Sequence, residues 1–434
     1  MLPPAVYGNK LVVETSRCLR EGATVDDRAD ELSFKDRSYG VGVVADPYPE
    51  LAVRRAQAAA HVGAFSAWFG VDGPEQVVYG SCPHVSVLSY KGVETVVKDD
   101  ATYSSSWLSP MLGEVVGRSL LEMDGDEHQR MRRLLQPAFT KREADRWEHD
   151  YARPAAVRKL EAIQGRGRAD LVADFLFTYP VEVILSALGL PLAERDTFYR
   201  LAVLLTNPLA AADARATASA RIAGIVRALI AERRVHPGTD LISLLASSSV
   251  DGDRMSDDEI VTFCRLLLPA GAQTTFRALA NILFALLDDP TQLDAVRADH
   301  ALIPRAVEEG LRWEPPMLAT GRMAAGAADL EGMPVVAGCS VNILFGAANR
   351  DPARWREPER FDVHRAPKGH LGFGGGSHIC LGISTARMEM RVAIEEVLER
   401  LPGLRLDPAA PRPEITGLGF RNPTTLPVVF DALP

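Results

Sequence analysis

Cys380 is the residue of this chain best placed to do chemistry, because it lies in the glycine-rich stretch Phe373–Gly382. Glycines carry no side chain, so a large flat molecule can approach the backbone and N–H groups can point at the sulfur. A helical pattern begins at Ile383, and a helix N-terminus close to the sulfur would favour the thiolate. A thiolate held in this way is either a nucleophile or a metal ligand.

Two other uses of the same loop fit the residues less well. A phosphate-binding G-x-G-x-x-G loop starting at Gly372 would need a third glycine where Ser377 stands, and no βαβ pattern surrounds it. A cysteine hydrolase needs a general base, but His378 lies two residues from Cys380, where the side chains of an extended segment point apart. An isolated cysteine is most often a buried structural residue, and the surrounding glycines argue against that default here.

A second unusual stretch, Pro269–Thr275, lies inside the longest apolar helical pattern of the chain. Proline removes a backbone hydrogen bond, Gly271 thins one wall of the helix, and the hydroxyls of Thr274 and Thr275 can bond back to carbonyls. A packing kink would explain these residues. Their place in the middle of the most apolar segment favours a groove that holds a small molecule or water.

Charged residues at helical spacing form two further groups. Glu309 and Arg312 are three apart on a helix predicted to end near Trp313, so they share a face. A surface ion pair contributes little, but apolar neighbours indicate a partly buried helix, in which the pair would anchor the Arg-rich segment that follows. His128 and Arg132 are four apart and also share a face.

Composition places these residues in an ordinary globular protein. Hydrophobic residues make up 47% of the chain and charged residues 24%, and the net charge of −9 argues against non-specific nucleic-acid binding. The five cysteines are far apart with no C-x-x-C, which speaks against a disulfide framework or a zinc site. We expect a cytoplasmic protein, because no apolar run has the length of a membrane span and the N-terminus lacks the order of a signal peptide.

The elements that must position these residues are mainly helical. The pattern predicts one domain at residues 46–434, mainly α with a minor β-sheet region, after an extension of uncertain order at residues 1–45. β-prone residues predict a small strand group over Gln76–Val97, and Thr102–Arg118 is predicted to be a loop with large apolar side chains. We predict helices at Glu50–Ala67, Tyr151–Gln164, Ala169–Leu188, Leu192–Leu205, Ala211–Val235, Ser256–Leu287, Gln292–Asp299, Ile303–Trp313 and Ile383–Leu401, and strands around Val335–Val336 and Ser340–Phe345.

The glycine-rich loop resembles that of the cytochrome P450 superfamily of haem-thiolate monooxygenases, in its soluble bacterial form. The resemblance runs from about Asp46 to the C-terminus. The family's pattern F-x-x-G-x-H-x-C-x-G is met at Phe373, Gly376, His378, Cys380 and Gly382.

Three further motifs of that family lie before this loop, in the order along the chain that the family has. Its helix pattern A/G-G-x-D/E-T is met at Ala270, Gly271 and Thr274, but Gln273 stands where an acid is usual. Its E-x-x-R pair is matched by Glu309 and Arg312. Arg360 matches the third residue of this set, whose role in the family is structural. His128 and Arg132 resemble the family's propionate-binding helix.

This resemblance implies the cytochrome P450 fold. Haem b would lie between the long central helix and the helix that follows the glycine-rich loop Phe373–Gly382, which is called the Cys loop below. Cys380 would be the axial ligand of the haem iron, and dioxygen would be the co-substrate. A thiolate ligand donates electron density through the iron and favours cleavage of the O–O bond. The positions that would contact the haem are His128, Arg132, Gly271, Arg322, Phe373, His378, Cys380 and Gly382.

The same resemblance gives Thr274 and Gln273 catalytic positions. Thr274 would lie beside bound dioxygen and donate to its distal oxygen. Gln273 cannot ionise, so protons would have to come from water, Thr275 or the substrate. This departure leaves open a peroxide-driven or otherwise atypical haem-thiolate enzyme. A haem-binding protein without catalysis is a further alternative, against which Thr274 and Cys380 argue.

By family position, the substrate pocket is largely apolar, which implies hydroxylation or epoxidation of a hydrophobic organic substrate. Its predicted lining residues are Leu108, Met111, Leu112, Leu209, Ala270, Met317, Leu318 and Phe420. Electrons from NAD(P)H would arrive through a separate ferredoxin or flavodoxin with its reductase. Candidate cations for docking this partner are Arg130, Arg133, Lys368, Arg387 and Arg391.

Overall fold

The computed structural model of this chain describes residues 44–205, 211–366 and 368–433. The predicted extension lies outside the described residues, except for its last two positions, as does Leu209 of the predicted pocket. The helices are α1 (Tyr48–Gln57), α2 (Pro74–Tyr79), α3 (Tyr90–Lys98), α4 (Ser109–Val116), α5 (Gly125–Leu135), α6 (Lys141–Trp147), α7 (Arg153–Gln164), α8 (Thr178–Ala187), α9 (Leu192–Leu205), α10 (Ala212–Val235), α11 (Leu241–Ser247), α12 (Asp257–Asp288), α13 (Pro290–Ala298), α14 (Ile303–Trp313), α15 (Phe345–Asn349) and α16 (Ile383–Arg400).

Short strands connect these helices. They are β1 (Ala60–Val62), β2 (His84–Val87), β3 (Tyr103–Ser104), β4 (Arg168–Asp170), β5 (Thr320–Ala324), β6 (Ala328–Leu330), β7 (Met333–Val335), β8 (Ser340–Ile343), β9 (Arg405–Leu406), β10 (Ile415–Thr416), β11 (Asn422–Pro423) and β12 (Pro427–Val429). The largest sheet among the described residues has the order β1-β2-β8-β5-β3, in which only the pairing of β2 with β8 is parallel. Within it, Arg322 on β5 pairs with Val341 on β8.

The central helix α12 begins with a complete capping box. The Ser256 side chain accepts from the backbone N–H of Glu259, and the Glu259 carboxylate accepts from the Ser256 N–H at 2.7 Å. Acidic residues in the first turn add a favourable interaction with the helix dipole. Almost every residue from Phe276 to Leu287 is buried, because α12 runs through the main core and packs against α8, α10, α14 and α16. Within the described ranges, no helix combines the length and apolar character that crossing a membrane requires.

Several helix predictions are confirmed, because their apolar residues recur at helical spacing without interruption. The helices α9 and α14 have the predicted bounds, and α12 and α16 differ from prediction by one residue at their ends. Helical residues dominate and the sheets are small, so the predicted fold class is confirmed.

The prediction of a strand group over Gln76–Val97 is wrong for all but β2. The valines of α3 recur at helical spacing and are buried on one side, and Ser89 caps this helix by accepting from the Gly92 N–H. The β propensity of these valines predicted a strand, but burying them together on one side requires the helical spacing that the segment adopts.

Three other segments differ from their predicted form. The helix predicted over Glu50–Ala67 ends at Gln57, since Ala60–Val62 pairs with β2. The helix predicted from Ala169 starts instead with strand β4 and a π-helical segment, Val172–Leu176. The predicted loop over Thr102–Arg118 contains β3, a 3-10 turn and the helix α4.

Candidate active site

The Cys loop has glycines where its backbone requires them. Gly374 and Gly376 have φ angles of +72° and +64°, which side chains disfavour. A Cβ on Gly376 would lie 1.9 Å from the carbonyl oxygen of Val97, so this glycine lets the loop sit against the end of α3. The Cys380 N–H donates to the Phe373 carbonyl at 3.0 Å and closes the loop.

The electrostatics of Cys380 correct one expectation. Burial raises the pKa of this thiol, and the opposing contributions are the Gly382 N–H and the charges of Arg132 and Arg387. The helix start therefore does not by itself produce a thiolate. A coordinating metal ion does so outright, which makes a ligand role fit this environment better than a free nucleophile.

A cluster of basic side chains lies near the loop. His128 on α5 is 1% exposed, and neither of its ring nitrogens has a hydrogen-bond partner among the described residues. Its ring lies 4.0 Å from the ring of His378, centroid to centroid. Arg322 is 8% exposed and donates to the Gly321 carbonyl at 3.0 Å.

The same cluster is short of negative charge. Burial and the charges of Arg322 and His128 lower the pKa of His378 to about 4, and burial lowers the pKa of Arg322 to about 10. The nearest counter-charge to His378 is Asp124, 3.6 Å from its Nε2. Buried donors without acceptors cost free energy, so this cluster fits an anionic group such as the carboxylates of a haem.

Arg132 joins this cluster to the Cys loop. Its Nη1 donates to the carbonyl of Ile379 at 2.8 Å, one residue before Cys380. The predicted sharing of a face by His128 and Arg132 is confirmed on α5, since both side chains point toward the loop and its basic neighbours.

The open face of α12 lies at Ala270 and Thr274. Ala270 is exposed although it is in the middle of a helix that is otherwise largely buried, and Thr274 is partly exposed. The Thr274 hydroxyl donates to the Ala270 carbonyl at 2.7 Å, as predicted for a threonine in a helix interior. The structure therefore has open space beside this stretch, as the predicted groove requires.

Gly271 has a different structural reason from the one predicted. A Cβ at this position would lie 2.8 Å from Cδ1 of Ile184 on α8, so the space beside Gly271 is filled by a neighbouring helix. The Gln273 side chain also lies on the side of α12 that faces α8. It lines a small pocket between α8, α9 and α12, together with apolar residues such as Val181 and Ala202.

Known proteins resemble this chain in sequence and in fold. The family model for cytochrome P450 matches residues 203–409. The cytochrome P450 monooxygenase PikC of Streptomyces venezuelae is 35% identical over 399 residues, which cover 87% of this chain and 91% of that protein. The chain belongs to the cytochrome P450 family.

Further relatives agree with this P450 assignment. The steroid C26-monooxygenase of Mycobacterium tuberculosis is 37% identical over 327 residues, or 73% of this chain and 86% of that protein. The structure of cytochrome P450 CYP109Q5 from Chondromyces apiculatus has a TM-score of 0.80 at 29% identity, covering 90% of this chain and 97% of that one. The chain is therefore an oxidoreductase of the P450 monooxygenase type, a family that uses haem and dioxygen.

The E-x-x-R pair of this P450 is buried and bidentate. Both Nε and Nη2 of Arg312 donate to the Glu309 carboxylate at 2.8 Å. The third charged partner is Arg365, whose Nε lies 2.9 Å from Oε1 of Glu309. The prediction of Arg360 for this place is wrong, because its side chain is exposed and only its carbonyl takes part, accepting from Arg312 at 2.9 Å.

The predicted pocket residues of the P450 fall into three groups. Met317 and Phe420 lie opposite each other in an isolated antiparallel bridge, which brings the two predicted turns together. Leu318 contradicts its prediction, since it is fully buried in a small core with Tyr48 and does not line open space. Four predicted lining residues are partly buried or exposed: Leu108, Met111, Leu112 and Ala270.

Most of the cations predicted for partner docking already have partners within this P450. Arg130 pairs with Glu259 at 2.6 Å, Arg387 with Glu308 at 2.7 Å, and Arg391 with Glu395 at 2.9 Å. Lys368 donates to the Arg354 carbonyl at 2.6 Å. Arg133 is half exposed, 4.0 Å from Asp253. These side chains therefore offer less free positive charge than the sequence indicated.

Two residues of the site were missed by the sequence reading. Asp124 accepts from the Ser105 N–H at 3.0 Å and lies beside His378, and it directly precedes α5, the helix that carries His128. Arg365 stands in an Arg-rich segment, where spacing alone does not tell which arginine reaches Glu309.

Proposed function

We propose that this P450 inserts one oxygen atom from dioxygen into a hydrophobic organic substrate, by hydroxylation or epoxidation. Its cofactor would be haem b, and the thiolate of Cys380 would ligate the haem iron. The observation that carries the proposal is the buried basic cluster beside the Cys loop, where His128 has no hydrogen-bond partner among the described residues and Arg322 is almost fully buried.

In this proposal, each part of the chain has its own task. The bound haem supplies an iron centre at which dioxygen is activated. His128, Arg132, Arg322 and His378 hold its propionates, and the N–H of Gly382 bonds to the sulfur of Cys380. Glu309, Arg312 and Arg365 have a structural task, which is to hold α14 against the segment before the Cys loop.

Thr274 and Gln273 are the residues of α12 that bear on proton delivery in this proposal. The Thr274 hydroxyl donates to the Ala270 carbonyl in the structure, and by rotating it would be able to donate a hydrogen bond to dioxygen instead. Gln273 contributes an amide that cannot ionise, in a mostly apolar pocket on the far side of the helix. Proton delivery therefore depends on water, Thr275 or the substrate.

The substrate and the electron donor are inferred from the lining and from relatives. The pocket side chains, Leu108, Met111, Leu112, Met317 and Phe420, favour an apolar ligand. A similar structure, CYP109E1 from Bacillus megaterium, is a complex with testosterone. A separate ferredoxin or flavodoxin with its reductase supplies electrons from NAD(P)H in the cytoplasm, a compartment that suits the four described cysteines, all free thiols.

The test is the absorption spectrum of the reduced, CO-bound protein. We expect the red-shifted Soret band of a thiolate-ligated haem, and we expect Cys380→Ser to lose it. Cys82→Ser is the matched control, because Cys82 is also a partly exposed free thiol and lies outside the Cys loop. A wild-type protein without the red shift would overturn the proposal.

A second candidate function rests on Gln273. A haem-thiolate enzyme that uses hydrogen peroxide needs no proton delivery from an acid at this position. Product formation driven by peroxide, at a rate no lower than that with a ferredoxin and its reductase, would favour this candidate over the monooxygenase.

A further inference from the structure

Arg277 lies on α12 three residues after Thr274 and is 2% exposed. Its guanidinium carbon lies 4.9 Å from the ring centroid of Phe420 and 4.6 Å from that of Phe276. Its Nη1 also donates to the Gln273 carbonyl at 3.3 Å. One buried side chain therefore contacts both the backbone before Thr274 and a ring of the predicted substrate pocket.

The position of Arg277 on the helix explains how it reaches both. Ala270, Thr274, Arg277 and Asn281 follow one another at spacings of four, three and four residues, so they form one stripe along α12. The first two residues border the open space of the site. The last two contact the turn that carries Phe420, because Asn281 Nδ2 donates to the Arg421 carbonyl at 3.1 Å.

That turn, residues 417–421, is held to a second turn, residues 316–318, by backbone hydrogen bonds. The N–H of Leu318 donates to the Gly419 carbonyl at 2.8 Å, and the N–H of Arg421 donates to the Pro316 carbonyl at 3.0 Å. These bonds fix the backbone of the turn. The Phe420 ring stands outside them, and the Arg277 guanidinium lies over this ring.

We propose that Arg277 is a positioning residue, which orients the Phe420 ring and the 417–421 turn relative to Thr274 and so sets the shape of the substrate pocket. A buried guanidinium over an aromatic face is attracted by the ring quadrupole, and the attraction grows when water is excluded. The inference rests on the proposed function only in taking this space as the substrate pocket.

Hydrogen exchange of the haem-loaded protein tests the positioning directly. The N–H groups of Leu318 and Arg421 report on the junction of the two turns, since both bond across it. We expect Arg277→Gln to speed their exchange by about three- to tenfold, as loss of one cation–π contact would do. Phe420→Leu should have the same effect, and the double variant should add nothing to either single change.

The matched control is Phe276→Leu, which removes the other ring under Arg277 and leaves the turn in place. It should leave the exchange of both N–H groups unchanged. Unchanged exchange in Arg277→Gln, or additive effects in the double variant, would overturn the proposal. If Arg277→Gln does not load haem, Phe420→Leu carries the test alone, and unchanged exchange in that variant is equally decisive.

Binding of 4-phenylimidazole, an azole that ligates haem iron, adds a readout that a merely structural arginine would not move. Arg277→Gln and Phe420→Leu should weaken its binding by the same factor, about threefold or more, with no further loss in the double variant. Equal affinity in wild type and both variants counts against the role in pocket shape. The CO spectrum separates this result from the proposed function, because a missing red shift affects only the haem-thiolate claim.

Discussion

The imidazole rings of His128 and His378 lie 4.0 Å apart, centroid to centroid, and are tilted by 31°. Two basic rings in contact and out of water disfavour each other's protonation. Burial is the largest cause of the lowered pKa of both histidines, and the charge of Arg322 contributes to each. A pair of this kind is stable when neutral or when an anion lies beside it.

The histidine pair predicts how stability depends on pH. In the haem-free protein, His378 stays neutral down to a pKa of about 4, whereas an unfolded histidine takes a proton near pH 6.5. The unfolded state binds more protons in this window, so the free energy of unfolding falls as pH falls from about 6.5 to 4, by about 3 kcal/mol from His378 alone.

Urea titrations at a series of pH values measure this loss. His378→Asn should reduce the pH dependence, because one of the two titrating groups is gone and only His128 remains. Loading with haem should also reduce the dependence, because the propionates favour the protonated rings. The idea fails if stability in this window is constant in the haem-free wild type.

Arg365 is predicted to matter for stability and Arg360 is not. Arg365→Met removes a charged hydrogen bond from the Glu309 carboxylate, which is buried, and should lower the free energy of unfolding by about 2 kcal/mol. Arg360→Met leaves its carbonyl bond to Arg312 intact, so the change should stay within about 0.5 kcal/mol. Denaturant midpoints of the two variants provide the comparison, and equal midpoints would contradict the assignment of the third partner.

Gly271→Ala tests whether packing explains the glycine. The new methyl group would lie 2.8 Å from Cδ1 of Ile184 and should cost about 1 kcal/mol, partly offset by the higher helix propensity of alanine. In an Ile184→Val background the Cδ1 atom is absent, and the same substitution should become neutral or stabilising. A double-mutant cycle of unfolding free energies measures this. The absence of coupling between the two positions would show that Gly271 has another purpose.

Gln273→Glu should change the ratio of product to peroxide. The new carboxyl group would lie in a mostly apolar pocket, where burial raises its pKa, so it should remain a proton donor up to a higher pH than an exposed glutamate, and its effect should fade above that pH. Substrate-dependent NADH consumption compared with product formed gives the ratio. Gln273→Met is the neutral control of similar size. The same ratio and turnover in Gln273→Glu and wild type would place this side chain outside the proton path.

The sequence predicted best what local spacing determines. The bounds of α9 and α14, the start of α12 next to Ser256 and the Glu309–Arg312 pair all follow from residues a few positions apart. The basic residues of the site came from family motifs, because His128, Arg322 and His378 are far apart along the chain.

Contacts between distant segments explain what the sequence did not show. Arg360 and Arg365 are alike in type and neighbourhood, and only the path of the chain brings one of them to Glu309. Leu318 and Phe420 both stand in apolar turns, yet Leu318 packs into the core with Tyr48, whereas Phe420 remains partly exposed. Gly271 was assigned to the groove because the neighbouring helix that brings Ile184 against it cannot be read from α12 alone.

The bond between Arg132 and the carbonyl of Ile379 has a consequence for electron transfer. Ile379 is 39% exposed and directly precedes Cys380, so its side chain is a patch of surface one residue away from the proposed iron ligand. A donor protein that touches this isoleucine has a covalent route to the sulfur along a single peptide unit, which Arg132 holds still. Donor proteins of different shape that docked on Ile379 would share this last step.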